Sequence, residues 1–131
     1  MIVEKFQLVL NYKNPNYTED ENYIRYFVML ENKYLNQLLK ARGYTSKSEI
    51  YENLGFKYKG LDTIYTFMEP YGVFTTSCSG INVFFKKGYK VEYGNVYLIN
   101  VEILKDWAYG LFSFCAWNTT TYMKGGYSYG K

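Results

Sequence analysis

The sequence predicts an α+β domain: an antiparallel sheet of five or more strands with one long and one short helix packed on one face. Three observations carry that prediction. Residues 18–55 hold two helix-period segments, each opened by a capping signal and closed by a glycine. Residues 2–10 alternate as a strand does, and residues 63–122 break into β-branched and aromatic runs separated by turn signals. Helices gathered in one stretch and strands in another define the α+β class.

Taken in order, the first strand places Ile2, Phe6, Leu8 and Leu10 on one face and Val3 and Val9 on the other, with Glu4 and Lys5 interrupting. Asn14-Pro15-Asn16 marks the loop that follows. Thr18 and Glu21 form a capping box, and Glu19 and Asp20 add the negative charge that a helix N-terminus favours. Over residues 19–42 the apolar stripe reads Tyr23, Phe27, Leu30, Tyr34, Leu38 and Ala41, widened by Ile24, Leu35 and Leu39. Phe27, Leu30, Leu35, Leu38 and Leu54 are the expected core. A basic last turn (Lys40, Arg42) and Gly43 end the helix. Ser46 and Glu49 cap a short second helix with Ile50, Tyr51 and Leu54, stopped by Gly55.

The expected strands then span 63–68, 73–77, 81–86, 89–93, 96–103 and 111–122, with 104–109 open between strand end and helical turn. Glu69-Pro70-Tyr71-Gly72, Lys87-Gly88 and Gly94-Asn95 supply turns. Residues 1–131 are expected to form one domain with a frayed tail at 124–131, and no repeat or linker divides them.

Composition narrows the function. Aromatic residues make up 21% of the chain, with 17 tyrosines and 9 phenylalanines. A thin core with amphipathic edges accounts for most of them, and a protein-contact surface is the sharper alternative. Net charge is +3, too mild for a protein that holds nucleic acid by phosphate contacts alone. No apolar run reaches the length of a membrane span, and MIVEKFQLVL lacks the cleavage site of a signal peptide, so the expected location is the cytoplasm of the cell that makes it. In that compartment Cys78 and Cys115 are expected to be reduced and structural.

The chain has no histidine, which removes Ser-His-Asp and Cys-His nucleophile pairs and imidazole acid–base chemistry. Asp62, Glu69, Glu92, Glu102 and Asp106 are not brought together by spacing. Cys78 lies in a small-residue turn with no neighbouring base, so a packed thiol is the better reading. No catalytic residue, metal site or cofactor is expected. The helical pair also falls short of a helix-turn-helix, because Glu49 and Glu52 stand where a recognition helix needs basic or amide groups.

One basic-aromatic group remains. Lys86, Lys87, Tyr89, Lys90 and Tyr93 lie within residues 84–93, and Lys57, Tyr58 and Lys59 repeat the pattern elsewhere. Such a hairpin can track a nucleic-acid strand by charge and stacking. Lysines also guard sheet edges, and with two arginines in the whole chain edge protection is the stronger explanation.

The run Tyr34-Leu35-Asn36-Gln37-Leu38-Leu39-Lys40-Ala41-Arg42-Gly43-Tyr44, followed by Glu49-Ile50-Tyr51-Glu52-Asn53-Leu54-Gly55, resembles a pattern in small uncharacterised phage and mobile-element proteins of Gram-positive hosts. The resemblance covers about residues 30–55 and brings no catalytic residues with it. It implies a phage or prophage setting. The expected function is therefore a non-enzymatic protein-binding module, either an inhibitor of a host defence protein or a virion accessory protein. A nucleic-acid or nucleotide binder using the 84–93 hairpin is the alternative, and an enzyme the weakest reading.

Overall fold

The structure, a computed structural model, describes residues 1–68 and 75–105. Its elements run β1 (Ile2–Leu10), α1 (Glu21–Arg42), β2 (Tyr44–Ser46), α2 (Lys47–Asn53), β3 (Ile64–Phe67), β4 (Thr75–Cys78), β5 (Gly80–Val91) and β6 (Gly94–Leu104). The class is α+β, as expected. The strand expected at 111–122, the tail at 124–131 and Cys115 lie outside the described residues.

The strands do not join in one sheet of five or more. Among the described residues they form two three-stranded sheets, ordered β1-β6-β5 and β2-β3-β4. The larger is wholly antiparallel. In the smaller, β2 and β3 are antiparallel but β3 and β4 run parallel, which no meander of hairpins allows. The two sheets meet where β4 passes into β5 through Ser79, whose N–H donates to the Leu104 carbonyl over 2.7 Å. One nearly continuous length of chain thus serves both sheets, and β4 pairs with β3 instead of prolonging the meander. β2 falls in the segment read as a plain link between helices. Its three residues gave no periodicity to detect.

β6 is the central strand of the larger sheet. Its Tyr97, Ile99, Val101 and Ile103 are buried on one face and meet Leu8 and Leu10 of β1 with Ile81 and Val83 of β5. α1 lies along β5, and its contact is partly polar. The Asn36 amide brackets Ile81, donating to its carbonyl (2.6 Å) and accepting from its N–H (2.9 Å), while the Val83 N–H donates to Asn32 Oδ1 (2.7 Å). These amides occupy the outer edge of β5 as a further strand would, which closes a pairing edge.

The helix caps correct one expectation and sustain two. Asp20, not Thr18, is the N-cap of α1: its carboxylate accepts from the N–H groups of Asn22 and Tyr23. Thr18 Oγ1 instead accepts from the Asp20 N–H. Gly43 ends α1 with φ 90° in the left-handed region. Ser46 caps α2 by accepting from the Glu49 N–H. The Glu49 carboxylate pairs with Arg42 and accepts from Thr45 rather than closing the box.

The expected turn at Lys87-Gly88 is also corrected. β5 runs straight through it, with a bulge between Phe85 and Lys87. A Cβ on Gly88 would stand 3.0 Å from both the Tyr97 ring and the Glu21 carboxylate, so that glycine serves close packing and not a turn. The hairpin reverses at Glu92-Tyr93, two residues before the expected Gly94-Asn95, and Gly94 takes φ 120° at its exit.

Candidate interaction surfaces

The largest departure lies on α1. Ile24, Val28, Leu35 and Leu39 are its buried residues. Of the expected core, Leu35 and Leu54 are buried, Phe27 and Leu38 half-buried, and Leu30 exposed. Tyr23, Tyr26, Leu30 and Tyr34 are each between 42 and 55% exposed. Their spacing of three and four residues aligns them along one flank of the helix, turned away from the sheet. Beyond the helix end the Arg42 guanidinium stacks 4.2 Å from the Tyr44 ring and pairs with Glu49. Three residues of the expected apolar stripe, Tyr23, Leu30 and Tyr34, therefore join Tyr26 in a half-exposed surface.

The hairpin lysines are exposed but do not share a face. Lys87 and Tyr89 pair with Leu98 and Val96, on the sheet face opposite the core, and Lys87 Nζ lies 5.8 Å from the Tyr89 ring centre. Lys90 pairs with Asn95 on the other face, and Lys86 sits in the bulge. Tyr93, at the turn, meets Tyr12 with ring centres 6.5 Å apart.

Lys57, Tyr58 and Lys59 lie elsewhere. Tyr58 donates to the Leu61 carbonyl and packs on Tyr51 at 4.8 Å between ring centres. Tyr51 in turn stacks on Phe6, which pairs with Val101 on the core face. Five residues of β6 separate Val101 from Val96, so about 17 Å and the thickness of the sheet keep the two basic groups apart.

Beneath Tyr58 lies a polar knot that joins β1, α2 and β3. Glu4 accepts from Lys47 Nζ and from the Tyr65 hydroxyl, both at 2.7 Å. Burial opposes the Glu4 charge, but these two donors outweigh it and hold the carboxyl below its ordinary range. Burial, reinforced by the same carboxylate, pushes the Tyr65 hydroxyl far up. A carboxylate held ionised beside a phenol held neutral is poorly matched to proton transfer near neutral pH and well matched to pinning three elements together. Cys78 is likewise unsuited to attack: burial pushes its thiol up to about 11.

Among the described residues no three Cys, Asp or Glu side chains converge on a metal position, and no helix is long and apolar enough to cross a membrane. Compared with family models, curated proteins and solved structures, the chain has no match.

Proposed function

We propose that the chain is a small non-enzymatic protein-binding module of phage type, acting in the host cytoplasm as an inhibitor of a host defence protein or as a virion accessory protein. One observation carries the binding reading: the stripe of Tyr23, Tyr26, Leu30 and Tyr34 on the outside of α1. Tyrosines held half-exposed on a rigid helix give a large contact area at low entropic cost, and tyrosine is enriched among residues that dominate interface energies. The phage setting rests on the resemblance of residues 30–55.

A nucleic-acid or nucleotide binder is the second reading, favoured by the pairing of Lys87 with Tyr89 on one face of the hairpin. One experiment separates the two. The tagged chain is passed through a Gram-positive host lysate, and protein and nucleic acid are recovered separately. Protein captured by wild type and lost with Tyr26→Ala and Tyr34→Ala supports the first reading. Salt-sensitive nucleic acid lost with Lys87→Glu and Tyr89→Ala supports the second and overturns the first.

A further inference from the structure

We propose that the stripe's occupant is a second copy of this chain, bound by antiparallel packing of α1 on α1 about a two-fold axis near Leu30. The inference rests on reading the stripe as a protein-binding surface and names what binds there.

The stripe is nearly symmetric about its middle. Tyr26 and Tyr34 stand four residues to either side of Leu30, about 6 Å each way along the axis. A two-fold axis at Leu30 therefore sets each Tyr26 against Tyr34 of the partner subunit, as a self-complementary patch requires. The charge along the helix selects the direction. Glu19, Asp20 and Glu21 crowd its N-terminal end, whereas Lys40 and Arg42 occupy its last turn. Antiparallel docking lays the acidic end of each helix beside the basic end of the other and opposes the two dipoles. Parallel docking lays like beside like.

Area sets the strength. With about 200 Å² for a whole tyrosine, the exposed part of the stripe offers about 400 Å² per copy and about 800 Å² per pair, well short of the ~1,200 Å² at which stable complexes begin. The dimer is therefore weak and reversible.

Sedimentation equilibrium of the full chain, from micromolar to near-millimolar protein, tests this. The average mass should climb from one copy towards two, and Leu30→Asp should raise the dissociation constant at least about tenfold while leaving the circular dichroism spectrum unchanged and the urea midpoint well above that of Leu35→Ala. Direction is read by cross-linking in a Cys115→Ser background. Tyr26→Cys mixed with Tyr34→Cys should form disulfides faster than either variant alone. A chain that stays monomeric, or a Tyr26→Cys variant that links to itself fastest, overturns the proposal. If the chain is monomeric yet stripe variants lose capture of another protein, the second-copy inference fails and the binding surface stands. If dimerisation and capture both ignore the stripe variants, both readings fail.

Discussion

The two sides of α1 carry apolar residues at the same period and have opposite fates. Ile24, Val28, Leu35 and Leu39 are closed from solvent, while Tyr23, Tyr26, Leu30 and Tyr34 stand open. Periodicity reports that a face is apolar and not which way it points. The buried side is aliphatic and borders Asn32 and Asn36, whose amides take up the β5 edge. The open side is aromatic and, among the described residues, no such amide pairing borders it. An aliphatic seam and two amides thus help to hold the helix, and its second apolar side is left half-exposed.

The comparison breaks first on core truncation. Leu35→Ala should cost about 2–5 kcal/mol of unfolding free energy, whereas Leu30→Ala should cost under about 1 kcal/mol, both read by urea denaturation. Equal costs would put the two sides on the same footing. Next is the amide bracket: Asn36→Ala should cost about 1–3 kcal/mol, because it strands the buried backbone groups of Ile81, and the Ile81 amide should exchange faster with solvent. A stable variant with a protected Ile81 amide would mean that packing alone seats the helix.

Smaller effects follow from two carboxyls perturbed in opposite directions. The folded Glu4 pKa lies below the ordinary 4.5, so its stabilisation is complete above that value and is lost as pH falls through the folded pKa. Glu31 lies above it because burial penalises the charge, and among the described residues its buried Oε1 has no hydrogen-bond partner. Its contribution is favourable below the ordinary value and is lost as pH rises through the folded pKa. Glu4→Gln should therefore flatten the acid limb of the stability profile, and Glu31→Gln should raise stability at neutral pH. The smallest effect is expected at Cys78→Ser, which should leave binding intact and lower stability modestly, by giving a buried site a hydroxyl that needs a partner. Loss of binding with the fold preserved would revive the thiol as a functional group.

Glu31 also explains why the seam was hard to read. The buried series 24, 28, 35, 39 is interrupted where position 31 carries a carboxylate, while 23, 27, 30, 34, 38, 41 runs unbroken. The unbroken series led the expected stripe, with Ile24, Leu35 and Leu39 read as its margin and Val28 left out. Features written locally were legible: the Gly43 stop, the Ser46 cap, the alternation of β1, the strand at 96–103 and the packed Cys78. Features set by tertiary pairing were not. The parallel β3–β4 contact, the division into two sheets and the passage of β5 through Lys87-Gly88 depend on partners distant in sequence. The hairpin lysines were legible as exposed groups, but once β5 continues through the expected turn, strand alternation puts Lys87 and Lys90 on opposite faces.

The measurement that bears most directly on α1 as a helix with one side for folding and one for binding is a paired assay of Leu30→Asp. Its urea midpoint and its self-association are determined on the same preparation. A midpoint well above that of Leu35→Ala, with self-association lost, is the expected result. A midpoint lowered as far as that of Leu35→Ala, or unchanged association with an unchanged midpoint, would contradict the division.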